Sequence, residues 1–201
     1  MLTNGNRAML ETMFPDKFDY VRSPENQDYI YTSRDLATLA GKRFHAKRNH
    51  ISKFYRTYTD TRFETLSDSN IPDALTVAKL WCAENDTDPG ASSEITAIRE
   101  MCDLKDEYNV KGAVLYVDSK PVAMTLGSEI SPKVYDINFE KALREYDGVY
   151  AVINNEFAKT LTQYEYINRE EDMGLEGLKK SKLSYNPVII LDRWNATPKK
   201  R

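Results

Sequence analysis

Apolar residues recur along this chain at two periods, and the switches between them mark its elements. Residues 18–21 and 29–31 read as short strands around the polar turn Ser23-Pro24-Glu25-Asn26. A helix is expected after Ser33, with Asp35 in its first turn. Beyond the break at Gly41, the residues Phe44, Ile51, Tyr55 and Tyr58 fall on one helical face. Residues 62–66 form a strand. Ser69 or Asn70 then caps a helix with Pro72 in its first turn and Ala74, Leu75, Ala78, Trp81 and Cys82 on its inner face. The polar run 84–90 breaks that helix, and Ser92 or Ser93 starts another with Ile95, Ile98, Met101, Cys102 and Tyr108 inward.

The second half predicts an antiparallel hairpin, 112–117 and 121–127, turning at Asp118-Ser119-Lys120. A strand follows at 134–139. Val149, Val152, Ile153, Phe157 and Leu161 define a third helix, with Asn154, Asn155 and Glu156 on its polar side. A strand at 164–168, a short basic helix at 174–184 and a last strand at 187–191 complete the reading. From Arg62 the order is β-α-α-β-β-β-α-β-α-β, an α/β layered (α+β) architecture around a mixed central sheet.

Composition narrows the class. The 201 residues are 41% hydrophobic and 29% charged with net charge −3, ordinary for a globular protein and unlike a bulk nucleic-acid binder. Tyrosine is favoured, 13 against 7 phenylalanines, which suits half-buried strands and wet clefts. The first residues carry no secretory signal and no apolar run reaches membrane-span length, so a cytoplasmic location without an integral membrane segment is expected. Cys82 and Cys102 read as reduced core thiols. Asn-x-Thr triplets at Asn85 and Asn195 carry no weight without a signal.

Charge is not spread evenly. Residues 41–56, GKRFHAKRNHISKFYR, hold six Lys/Arg residues and both histidines but no acid. A solvated helix face normally mixes acids with bases at i,i+4. The block therefore offers an anion contact through Arg48, Asn49 and His50, arginine being suited to bidentate phosphate binding. His45 and His50 lack close carboxylate or thiolate partners, so no metal site is expected.

Three segments carry a resemblance. LATLAGKRFHAKRNHISKF, INFEKALREYDGVYAVINNEFAK and YINREEDMGLEGLKKSKLSYNPV are similar to the bacterial family related to the C-terminal domain of phosphatidylglycerol lysyltransferase, with Fem-type aminoacyltransferases as distant relatives. The element order resembles the GNAT acyltransferase fold. The resemblance covers essentially the whole chain and implies two GNAT-like units in tandem. It makes residues 1–60 the C-terminal remnant of an N-terminally shortened first unit and 61–201 a complete second one.

Roles follow from that resemblance. The loop Arg144-Glu145-Tyr146-Asp147-Gly148 sits where GNAT enzymes bind a pyrophosphate, giving Arg144 and Gly148 an anion-binding role, although its glycine spacing departs from the acyl-CoA pattern. Asn154 would orient the acyl or aminoacyl group. Carboxylates after a strand, Glu171 or Asp172, would serve as general base, and Arg169 as an anion contact. Lys182 would bind a phosphate or carboxylate, and Tyr185 would protonate the leaving group. The implied activity is transfer of an acyl or aminoacyl group from acyl-CoA or aminoacyl-tRNA, a phosphate-bearing donor, to an amine or hydroxyl. No covalently bound cofactor is expected, and self-association is left open. The competing reading is a non-catalytic ligand- or protein-binding module on a degenerate GNAT-like fold.

Overall fold

A computed structural model describes residues 1–85 and 91–200. In chain order these form α1 (Asn4–Met13), β1 (Phe18–Arg22), β2 (Asp28–Thr32), α2 (Ser33–Thr38), α3 (His45–Thr57), β3 (Thr61–Thr65), α4 (Ile71–Glu84) and α5 (Ala91–Asp103). There follow β4 (Lys111–Val117), β5 (Lys120–Ser131), β6 (Val134–Ala142), α6 (Val149–Lys159), β7 (Tyr166–Asn168), α7 (Glu176–Leu183), β8 (Ile189–Leu191) and β9 (Trp194–Pro198). The break expected over 84–90 falls largely outside the described residues. The chain divides into two compact units, Thr32–Ile167 and Met1–Tyr31 with Asn168–Arg201.

In the unit Thr32–Ile167, β3, β4, β5 and β6 form an antiparallel meander with β7 next to β6. Val117 pairs with Lys120, so the β4–β5 turn is the two residues Asp118 and Ser119, at φ 47° and 63°. Positive φ at both positions matches the twist of the flanking strands. Side chains alternate across the sheet. Val114, Tyr116, Met124 and Leu126 face one way and pack with Ala74, Leu75, Val77 and Ala78 of α4 and Ile98 and Cys102 of α5. Cys82 and Cys102 are buried thiols outside any disulfide, and burial pushes the Cys102 thiol up to about 11.

The other face carries α6, which presents Val149, Val152, Ile153, Phe157 and Ala158 inward. Helices α2 and α3 pack on α6 in turn. Asn154 and Asn155 lie on no polar side: they are 0% and 6% exposed, because Asn155 Nδ2 donates to the last carbonyls of α2, Leu36 O at 2.7 Å and Ala37 O at 2.9 Å. In α3 the buried residue is Phe54, while Tyr55 is exposed, so the inner face is rotated from the one expected. Tyr55 instead donates to Glu156 Oε1 at 3.1 Å.

In the other unit, β1 pairs antiparallel with β9 and β2 antiparallel with β8. The sequence pattern missed α1 and β9. Helix α1 buries no residue and is capped by Thr3, whose hydroxyl accepts from Asn6 N–H at 3.2 Å. Strand β9 ends in Pro198, tolerated in a two-stranded ribbon where one edge needs no donor. Trp194 packs its ring under the Arg7 guanidinium at 4.2 Å.

Candidate functional site

The candidates read from the sequence fall into both units. Glu171, Asp172, Tyr185, Arg169 and Lys182 belong to the unit with the termini; Arg48, Asn49, His50, Arg144, Gly148 and Asn154 belong to Thr32–Ile167.

In the first group the side chains are held by one another. Asp172 is 1% exposed; its Oδ2 accepts from the Tyr29 hydroxyl at 2.5 Å and its Oδ1 from Gly174 N–H at 2.8 Å. Burial first, and then the Asp172 carboxylate, push the Tyr29 phenol up to about 12. Lys182 is 7% exposed and donates to the carbonyls of Arg169 and Glu170. The Arg169 guanidinium lies 4.9 Å from the Tyr185 ring and 5.8 Å from that of Tyr31. Tyr185 is buried with its ring edge-on to Tyr31. Glu171 is half-buried beside them in sequence.

In the second group, Arg48 turns back on its own connection. One guanidinium nitrogen donates to Leu39 O and Gly41 O, the carbonyls that follow α2. Those groups end a helix at Leu39, which sits in the left-handed region at φ 47°, and a cation there opposes the helix dipole. Asn49 pairs with the His45 ring at 3.1 Å, and His50 is exposed. Arg43 and Lys53 are paired with Asp35 and Asp147 at 2.7 and 2.6 Å. Gly148 has φ 86°, and a Cβ there would meet His50 O at 2.9 Å, so its missing side chain lets α3 and α6 approach. Arg144 is exposed and donates to Asn85 Oδ1 at 2.5 Å.

Asn154 leads to a set that the sequence reading did not select. Its Nδ2 donates to Glu140 Oε2 at 3.0 Å, joining α6 to β6. Thr125, opposite Glu140 in the β5–β6 register, is 0% exposed, and both its hydroxyl and Asn154 Oδ1 are buried without a hydrogen-bond partner. One turn before Asn154 on α6, Tyr150 accepts from Trp81 Nε1 at 2.8 Å. Burial raises the Tyr150 phenol; the Trp81 and Ala142 N–H groups oppose that, Glu140 adds to it and Arg144 lowers it. Glu140 and Arg144 thus both act on the same hydroxyl. Behind the indole, Lys141 Nζ lies 3.6 Å from the Trp81 ring and 2.7 Å from Glu94 Oε1. Carboxylate, phenol, indole and two cations converge where β6 ends and α6 begins. Such a concentration of polar groups beside an apolar sheet disfavours folding and is expected where chemistry or binding requires it.

Among the described residues no group of three or more His, Cys, Asp or Glu side chains could hold a metal ion. No helix among them is long and apolar enough to cross a membrane.

The family described as "Phosphatidylglycerol lysyltransferase, C-terminal" matches residues 7–197. The chain belongs to this family. A conserved protein of unknown function from Bacteroides thetaiotaomicron is 41% identical, with TM-score 0.92 over 98% of this chain and 68% of that one. L-PGS from Bacillus licheniformis superposes with TM-score 0.69 at 14% identity over 99% of this chain and 66% of that one. A GCN5-related N-acetyltransferase from Kribbella flavida gives TM-score 0.53 at 11% identity, covering 99% of this chain and 67% of that one. The fold is therefore GNAT-like. The chain spans 54% of the length of an uncharacterized curated relative from Mycoplasmoides gallisepticum, 22% identical over 169 residues and 83% of this chain.

Within this lysyltransferase-related, GNAT-like frame, the Glu140 set had a signal in the sequence. Continuing the alternation Tyr135, Ile137, Phe139 by one step places Lys141 in an inward series, which marks a buried cation in need of partners. Tyr150 and Asn154 are four apart on one helix face. The expected strand ended at Phe139 and left both Glu140 and Lys141 outside it.

Proposed function

We propose that this chain is a GNAT-like acyltransferase moving an acyl or aminoacyl group from aminoacyl-tRNA or acyl-CoA to an amine or hydroxyl acceptor. The observation that carries the reading is the half-buried Glu140 carboxylate, held by Asn154 and sharing its surroundings with Tyr150 and Arg144. Glu140 takes the proton of the attacking N–H or O–H group. The new C–N or C–O bond forms at the donor carbonyl as the ester C–O or thioester C–S bond breaks, and the proton held by Glu140 passes to the departing oxygen or sulfur. Family membership over residues 7–197 supports the transfer class. The exposed cations of α3, with Arg144, suit a phosphate-bearing donor.

The test presents the purified protein with radiolabelled lysyl-tRNA or acetyl-CoA, together with phosphatidylglycerol vesicles or a small primary amine, and follows label into the acceptor. Wild-type protein gives product with one donor, and Glu140→Gln lowers the rate by about 100-fold. A Glu171→Gln arm examines the other carboxylate: loss there with Glu140→Gln unaffected moves the base to Glu171. Absence of transfer with every donor and acceptor removes the reading.

A further inference from the structure

Tyr150 is placed to do more than line the site. Its oxygen accepts from Trp81 Nε1 at 2.8 Å. The end of β6 lies beside it: Ala142 is opposite Ala123, and Leu143 N–H bonds Val122 O at 3.0 Å. That makes Ala123 and Ala142 a non-hydrogen-bonded pair, so the Ala142 N–H faces away from β5, and the Ala142 backbone lowers the Tyr150 phenol against the effect of burial. A phenol oxygen has two acceptor positions and one proton. With one position taken by the Trp81 N–H, the proton points elsewhere, and among the described residues no acceptor receives it. The ring is also fixed. Trp81 is held by Lys141 at 3.6 Å, itself paired with Glu94, and Tyr150 is 37% exposed.

We propose that Tyr150 is a hydrogen-bond donor to the carbonyl oxygen of the acyl group being transferred. The inference rests on the transferase reading for its chemistry but is tested by binding. As the acceptor attacks, negative charge accumulates on that oxygen, and a donor already oriented by Trp81 needs no reorganisation to stabilise it. No proton changes hands at Tyr150; the hydroxyl strengthens an existing hydrogen bond. Thioester and ester donors share this carbonyl, so the proposal is common to both and the probes separate them.

The experiment uses the chain with Trp194→Phe, leaving Trp81 as its one tryptophan, and records Trp81 fluorescence during titration. One arm compares acetyl-CoA with CoA, and the other puromycin, an aminoacyl-nucleoside amide, with its carbonyl-free aminonucleoside. The carbonyl-bearing member of one pair produces a saturable fluorescence change and binds more tightly than its control. Tyr150→Phe, checked for an unchanged melting midpoint, weakens that member about fivefold and leaves the control unaltered. Which pair responds identifies the donor chemistry. No response in either arm, or equal weakening of both members by Tyr150→Phe, overturns the inference. Neither result removes the transferase reading, which stands or falls on product formation.

Discussion

Asn154 donates from Nδ2 to Glu140 Oε2 at 3.0 Å while its Oδ1 stays buried without a hydrogen-bond partner. A fully buried amide in that state is costly unless its one bond matters. Asn154→Ala is expected to lower the transfer rate, because the Glu140 carboxylate loses the donor that orients it. Asn154→Asp keeps the shape but replaces that donor by an acceptor, and is expected to lower the rate as well. Turnover measured for each variant checks this; rates equal to that of wild type would separate Asn154 from the chemistry.

Arg48 provides a prediction about stability. Its guanidinium joins the Leu39 and Gly41 carbonyls, so Arg48→Ala leaves the end of α2 without those donors. The expected cost is about 1–3 kcal/mol, as for loss of charge-assisted bonds, with Arg48→Lys recovering part of it. Urea denaturation measures it. A stability like that of wild type, combined with weaker binding to tRNA that falls steeply with salt, would instead make Arg48 a phosphate contact.

Gly148 is constrained twice, by φ 86° and by the backbone of His50, which a Cβ would approach to 2.9 Å. Gly148→Ala therefore has to strain the turn and push α3 from α6, for a loss of about 1–3 kcal/mol. Lys53→Ala, which removes an exposed ion pair with Asp147 beside the same loop, serves as control with a negligible effect. Equal melting midpoints for Gly148→Ala and wild type would show that the close packing is not needed.

The two units differ in how far their sequence revealed them. The β4–β5 hairpin and the inner faces of α4 and α6 were readable because their apolar period is local. Strand β9 was not: its partner β1 lies far away in sequence, with Phe18 opposite Pro198, and nothing within the segment 194–198 announces that pairing. Helix α1 buries none of its apolar residues, so no core demand distinguishes it from a loop. The same logic hid the Glu140 set. Asn154 and Asn155 look like solvent-facing amides until Glu140 and the α2 carbonyls are brought against them. Conversely, the cationic block was conspicuous as sequence, and only the fold shows Arg43, Arg48 and Lys53 engaged with Asp35, backbone carbonyls and Asp147.

The tyrosines predict the alkaline limit. Burial and the Asp172 carboxylate hold the Tyr29 phenol protonated up to about 12, against an ordinary value of 10.0. Burial also raises Tyr116 and Tyr135. Because the folded state keeps protons that the unfolded chain releases, this contribution is complete below pH 10, where both states are protonated. It is lost as pH rises from 10 through 12 for Tyr29. The urea midpoint of the wild-type protein should accordingly fall across that interval. Tyr29→Phe has no phenol to ionise and should fall less steeply, at the expense of lower stability at neutral pH because buried Asp172 loses its hydroxyl donor. Midpoints measured in parallel at each pH decide it: an equally steep decline in the Phe variant would show that Tyr29 ionisation contributes nothing to alkaline unfolding.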